Sequence, residues 1–216
     1  MATQAQQKMN LRDSVSYAIG LDLAAMVKNF DTTLNINYVI KAIEDAVSGK
    51  AVLNSSQAQN AIANYMQSRQ EADKQKVETQ LQNNQEQAEA FLADVARQEG
   101  VMRTKSGLLY KIEKLGDSLL PQAGDVLTVH YRLTLPNGEV VDSSYERGEP
   151  MSFANNDGEM IAGFLEGVRL LGEGGKAILY LPPALGYGSY STGTIPPNSA
   201  LVFEVALLGI TGKEHK

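Results

Sequence analysis

Val126-Leu127-Thr128-Val129-His130-Tyr131-Arg132-Leu133-Thr134-Leu135 alternates apolar and polar positions without a break, and Pro136-Asn137-Gly138 ends it. Leu127, Val129, Tyr131, Leu133 and Leu135 share one face, the period of a half-buried strand. The Pro-Asn-Gly string is a turn signal, and residues 139–142 return as the next strand. Residues 108–112 begin the strand content. Residues 176–181 form another strand, stopped by Pro182-Pro183, and residues 201–210 form the last. Between them, residues 160–171 place Ile161, Phe164, Leu165, Val168 and Leu171 at helical spacing, with Gly172 read as the helix end. One amphipathic helix against an antiparallel sheet predicts an α+β domain.

The chain ahead of this domain has a different composition. All seven prolines follow residue 120, and only Gly20 and Gly49 of the 19 glycines precede residue 100. The first hundred residues are therefore predicted to be helical. Residues 12–30 carry Val15, Ala18, Ile19, Leu23, Met26, Val27 and Phe30 as one amphipathic stripe. Residues 35–48 repeat it with Ile36, Val39, Ile40, Ile43 and Val47, and Gly49 reads as a helix end. Asn54 with Gln57 three residues later has capping-box spacing. Nothing breaks the helix from there to Glu99, which at 1.5 Å per residue predicts a strut of about 70 Å. Between Gln67 and Gln87 only Val77 and Leu81 are strongly apolar, so the middle is expected to touch little; a bent or poorly ordered linker is the alternative. The first 66 residues make a thin core by themselves. Their stripes are covered either by a second copy or by folding back onto the C-terminal domain. The boundaries read as 1–53, 54–99 and 100–216.

Composition excludes several chemistries. Of the 216 residues none is Cys, which removes disulfides, thiol catalysis and thiolate metal sites. The two histidines, His130 and His215, have no metal-ligand spacing and join no triad, so neither metal nor cofactor is expected. The net charge of −6 divides as about −3 per half, with no basic stripe, so no nucleic acid partner is expected. No apolar run approaches the roughly 18 residues of a membrane span. Residues 1–8 lack the apolar core of a signal peptide, which places the chain as written in the cytoplasm; a leader already removed would place it in the periplasm or cell envelope. Gly172-Glu173-Gly174-Gly175-Lys176-Ala177 lacks the first glycine and the Ser/Thr of a phosphate loop and reads as a turn.

Several strings together resemble the FKBP-type peptidyl-prolyl isomerases over about the last 110 residues: Val129-His130-Tyr131, Val141-Asp142-Ser143-Ser144, Gly148-Glu149-Pro150, Ile161-Ala162-Gly163-Phe164, Leu185-Gly186-Tyr187-Gly188, Ile195-Pro196-Pro197 and Leu201-Val202-Phe203-Glu204-Val205. Ser16-Tyr17-Ala18-Ile19-Gly20 followed by a long helix is similar to the Mip-like bacterial subgroup. The resemblance implies a half-barrel sheet wrapped on the short helix, with the pocket between them. It implies a homodimer through residues 12–66, with the long helix holding two isomerase domains apart.

The resemblance also implies site residues. Tyr131, Asp142, Phe164, Tyr187 and Phe203 would carry catalysis. Val141, Met151, Phe153, Met160, Ile161 and Ile195 would contact substrate. Read alone, Phe164 and Phe203 are core residues, Tyr187 is an exposed aromatic, and Asp142 is a turn or capping residue. Val141 and Met151 stand where the family usually has Phe, Phe164 where it has Trp, and Met160 where Val is frequent. The 187–195 loop is about one residue shorter than the most familiar pattern. These departures keep the pocket apolar but less aromatic. The implied partners are unfolded or proline-containing polypeptides, with FK506-type macrolides as candidate inhibitors. A folding chaperone or scaffold that uses the cleft with little turnover is the alternative.

Overall fold

The computed structural model describes residues 9–212. Residues 1–8, read above for a leader, and the tail carrying His215 lie outside them. The chain divides into two compact units, 1–69 and 70–216.

The first unit holds α1 (Leu11–Phe30), α2 (Ile36–Val47) and the start of α3 (Ser55–Val95). Each helix begins on a side-chain cap that satisfies a free amide of the first turn. Asn10 accepts from the Asp13 amide at 2.9 Å and Asn35 from the Asn37 amide at 3.0 Å. Asn54 and Gln57 exchange bonds at 2.9 Å each, the capping box expected from their spacing. Asp31 ends α1, and its carboxylate accepts from the Tyr65 hydroxyl and from Arg69 Nη1. The Phe30 and Tyr65 rings stack with centroids 6.1 Å apart. No residue of α1 or α2 is buried, and Val15, Ile19, Met26, Ile40 and Val47 are at least half exposed.

The second unit is an antiparallel sheet with one short helix on its concave face. Its strands are β1 (Met102–Arg103), β2 (Leu109–Lys114), β3 (Val126–Thr134), β4 (Val140–Ser143), β5 (Met151–Ala154), β6 (Lys176–Leu181) and β7 (Leu201–Thr211). They pair in the order β1-β2-β6-β7-β3-β4, and β5 pairs with the first half of β3 ahead of β4. Between β4 and β5 lies the one-turn α4 (Ser144–Arg147), and after β5 comes α5 (Ala162–Val168). The predicted alternation along β3 is met: Leu127, Val129, Tyr131 and Leu133 are buried. They join Phe164, Val168, Leu179, Leu201, Phe203 and Leu207 in one core. Each such side chain contributes about 1.5–3 kcal/mol by leaving water.

Two glycines set the depth of α5. A Cβ on Gly163 would lie 2.6 Å from Leu181 Cγ, and one on Gly167 would lie 2.3 Å from Leu179 Cδ1. At i and i+4 they form one bare face against β6 and bring the helix close to the sheet. The helix is shorter than its apolar pattern suggested and ends at Val168, so Gly172 is not its cap. Gly172 belongs to the following loop, where a Cβ would fall 1.8 Å from the Asp117 carbonyl oxygen.

The long helix also differs from expectation. It stops at Val95 rather than Glu99, and the turn that follows reaches Gly100 at φ 79°. Its polar stretch is not contact-free: Leu81 and Asn84 bond to residues 197–198. Further along, Ala88, Leu92 and Val95 are buried against Leu109, Tyr180 and Ala200 on the convex face of the sheet. The Phe91 ring lies 6.2 Å from that of Tyr180.

Candidate functional site

Between α5 and the concave face of the sheet opens a cavity of about 430 Å³. Phe164 projects from α5 to its floor and is fully buried, because the two glycines seat that helix deeply. Tyr131 reaches in from β3 and Phe203 from β7, placed by the alternation that faces odd positions inward. The Phe164 ring lies 5.8 Å from Tyr131, 4.8 Å from Phe203 and 5.9 Å from Phe153, all at tilted or edge-on angles. Such geometry sets ring edges against ring faces and holds an apolar wall in a fixed shape.

Asp142 comes from β4 and sits across the sheet from Leu133. It does not cap the turn; Ser143 is the N-cap of α4 and accepts from the Glu146 amide at 3.3 Å. Instead the Asp142 carboxylate accepts from the Tyr131 hydroxyl and from Arg147 Nη1. Nη2 of Arg147 donates to the Tyr131 oxygen at 3.1 Å. The carboxylate at the rim is thus paired with a cation and hydrogen-bonded, as a charge beside an apolar cavity requires. Burial and the bond to Asp142 push the Tyr131 phenol above its ordinary value. Tyr131 therefore stays protonated at neutral pH and orients its hydroxyl towards Asp142.

Of the residues picked from sequence, Tyr131, Asp142, Met151, Met160, Ile161, Phe164, Tyr187 and Phe203 line this cavity. Val141, Phe153 and Ile195 pack on the core that forms its walls. Tyr187 is 37% exposed, on the loop that follows the 3₁₀ turn Pro183–Leu185. Leu133, Gly158 and Glu159 also line the cavity and were not singled out. Leu133 could have been found, since it shares the inward face of β3 with Tyr131. Arg147 was missed because it approaches only when α4 turns the chain back.

The loop 155–161 forms one rim and is fastened from beneath. Asn155 is buried, donates from Nδ2 to the Gln122 carbonyl at 2.7 Å, and accepts from Arg169 Nε at 2.7 Å. Arg169 also pairs with Asp157 at 3.0 Å. Ile161 is the N-cap residue of α5, and its carbonyl accepts from the Phe164 and Leu165 amides. The groups facing the cavity are apolar side chains, one tyrosine hydroxyl on each of two elements, and carboxylates at the rim. This suits binding a bent, apolar peptide segment and fits no nucleophilic or acid–base constellation.

The comparisons agree with this geometry. The model of the FKBP-type peptidyl-prolyl cis-trans isomerase matches residues 118–208, and that of the domain amino-terminal to it matches residues 12–112. The FKBP-type peptidyl-prolyl cis-trans isomerase FkpA of Aeromonas hydrophila is 36% identical over 97% of this chain and 80% of its own length. A probable FkpA of Neisseria meningitidis is 36% identical over 93% of this chain and 75% of its own. The crystal structure of Escherichia coli FkpA superposes with a TM-score of 0.70 at 30% identity, over 94% of this chain and 98% of that one. The chain belongs to the FKBP-type peptidyl-prolyl cis-trans isomerases, enzymes that turn the X–Pro peptide bond between cis and trans.

Proposed function

We propose that the cavity floored by Phe164 is where this chain turns the X–Pro bond of unfolded or partly folded polypeptides. The observation that carries the reading is the apolar floor and walls formed by Phe164, Tyr131 and Phe203 beneath a paired carboxylate. The uncatalysed barrier of about 18–20 kcal/mol comes from amide conjugation. In the twisted state that conjugation is lost, and the amide is less dipolar than at either planar end. An apolar cavity disfavours the planar dipole more than the twisted form, so the gain is made in the transition state.

In this reading the proline ring rests on Phe164. Tyr131, Met151, Met160 and Phe203 wall it, with Val141 and Phe153 supporting them. The Ile161 N–H and the Tyr187 hydroxyl hold substrate carbonyls on either side of the rotating bond, and Ile195 closes the flap. Asp142 keeps Tyr131 oriented. An FK506-type macrolide would occupy the same cavity. The exposed stripes of α1 and α2 are covered by a second copy of residues 12–66, giving two pockets for one client and a chaperone-like hold on it.

The test is a protease-free isomerisation assay on a proline tetrapeptide. Phe164→Ala and Tyr187→Phe should each lower kcat/KM, and turnover equal to the parent in both would remove the assignment. Light scattering of the full chain should give twice the chain mass; one chain mass at micromolar concentration would remove the dimer. A comparison chain should begin at residue 70, because a cut at 100 would strip Leu92 and Val95 from Leu109 and Tyr180.

A further inference from the structure

We infer that the second half of α3 positions the active-site flap, through Asn84 on the helix and Asn198 on the flap. The connection from β6 to β7 carries both Tyr187 and Ile195. Among its internal bonds, the Ile195 carbonyl accepts from the Thr192 amide at 3.2 Å, and the Gly188 carbonyl accepts from the Asn198 amide at 2.7 Å. The second bond ties the far end of the flap to the residue after Tyr187.

Asn198 is the one non-glycine residue at positive φ among the described residues, at 55°. For an L side chain this conformation is unfavourable, and asparagine tolerates it best. In it, Asn198 Nδ2 donates to the Leu81 carbonyl at 3.2 Å. One residue earlier, the Pro197 carbonyl accepts from Asn84 Nδ2 at 2.7 Å. Leu81 and Asn84 are three apart and share one helix face. That face continues through Ala88, Leu92 and Val95, which are buried against the convex side of the sheet. An apolar seam thus fixes the helix to the sheet, and its polar extension reaches over the flap. Pro196 and Pro197 have no amide to donate, so at the prolines the helix bonds to a carbonyl, that of Pro197.

Asn84 and Asn198 are positioning residues; neither lines the cavity. They hold the Tyr187 and Ile195 loop in its bound shape before substrate arrives, which lowers the ordering cost on binding. The inference rests on the assignment of the pocket made above. It also makes residues 81–95 part of the isomerase unit rather than a passive spacer.

The experiment uses full-length variants. Asn84→Ala keeps a strong helix former at that position. Asn198→Gly keeps the positive φ without strain and removes the side-chain bond to Leu81. Each should lower kcat/KM on a proline tetrapeptide by about threefold to tenfold, carried by KM with kcat little changed, as expected for a loop ordered on binding. The double variant should fall no further than the worse single one, because both bonds hold one loop. Exchange of the backbone amide of residue 198, which donates to the Gly188 carbonyl, should speed up in each. Values within twofold of the parent in both variants would overturn the inference. So would an equal loss in Gln82→Ala, which removes a neighbouring amide of the same helix bonded to Glu86 and leaves both Asn84 and the apolar seam intact. If Phe164→Ala and Tyr187→Phe also leave turnover unchanged, the pocket assignment has failed and the positioning role falls with it.

Discussion

Nη2 of Arg147 lies 3.1 Å from the Tyr131 hydroxyl oxygen, and its guanidinium carbon lies 5.5 Å from the centre of the same ring. The same guanidinium pairs with Asp142, which in turn accepts a hydrogen bond from the Tyr131 hydroxyl. Three side chains therefore fix one another, and only Tyr131 is buried; Arg147 and Asp142 are 43% and 41% exposed. That exposure screens the charge pair, so it contributes far less than a buried bridge would. Arg147→Ala should then lower kcat/KM only severalfold, through looser placement of Tyr131. Arg147→Lys should recover little of this, because a lysine cannot engage Asp142 and Tyr131 as a planar fork. Parent-like kinetics in Arg147→Ala would show that Asp142 orients Tyr131 without help.

The raised Tyr131 phenol gives a pH dependence with a definite sign. Below its ordinary value of 10.0 the group is protonated in both folded and unfolded chains and contributes no slope. Above it, the unfolded chain loses the proton first, so the folded chain binds more protons and stability falls as pH rises. Burial raises the Tyr180 phenol as well, so ultraviolet absorbance titration should show two late phenols, of which Tyr131→Phe removes one. Stability measured by urea unfolding should fall less steeply at alkaline pH in that variant.

Gly167 sets two effects against each other. Alanine is the better helix former by about 1 kcal/mol. Its Cβ, however, would meet Leu179 at 2.3, 2.5 and 2.9 Å, so a fully buried leucine would have to move. Overpacking of this kind typically costs about 1–3 kcal/mol, which outweighs the propensity gain. Gly167→Ala should therefore destabilise the second unit and lift Phe164 from the cavity floor. Thermal unfolding together with tetrapeptide KM would read both, and a raised melting temperature would contradict the packing argument.

How far the sequence could be read depended on how far apart the interacting residues lie. β3 and β7 were legible because alternation over nine or more residues records one buried face; β6 is apolar on both faces, with Leu179 and Leu181 in the main core and Tyr180 under α3, and was legible from the prolines that stop it. The Asn54–Gln57 box was legible because both partners lie within one turn. β5 has four residues directly after Pro150, too few to show a period. Arg147 has no meaning until α4 folds back on Tyr131. Asn84 stands in a polar run, and its partner is 113 residues away, so no local pattern marks it. Tyr131, Asp142 and Tyr187 were found by family strings rather than by periodicity. Leu133 was visible to periodicity and was passed over.

Arg169 holds the rim loop through two groups, the buried Asn155 and the exposed Asp157. The Asp157 pair is solvent-screened and contributes little. The Asn155 bond matters more, because removing the donor leaves a buried acceptor unsatisfied at about 1–3 kcal/mol. Arg169→Ala should lower stability by that order and raise tetrapeptide KM through the looser placement of Met160 and Ile161. Asp157→Ala should leave both close to the parent. Equal effects from the two variants would mean that the charge, not the Asn155 bond, secures the loop.

In the first unit, Asp31 joins the end of α1 to Tyr65 and Arg69 on α3. The Tyr65 hydroxyl bond, followed by those from Thr33, holds its carboxyl down at about 2, well below the usual 3.8. A carboxyl depressed in the folded state adds stability that is complete above its unfolded value and is lost as pH falls through its folded value. The window here runs from about 4 down to about 2. Across it, Tyr65 should separate from the end of α1 while the interior of each helix persists. The carboxyl shift of Asp31 followed by nuclear magnetic resonance should titrate late, and Asp31→Asn should flatten the acid limb of helix unfolding in this window. An Asp31 that titrates near 3.8, or a limb unchanged in Asp31→Asn, would show that the Tyr65 bond does not join α1 to α3 in solution.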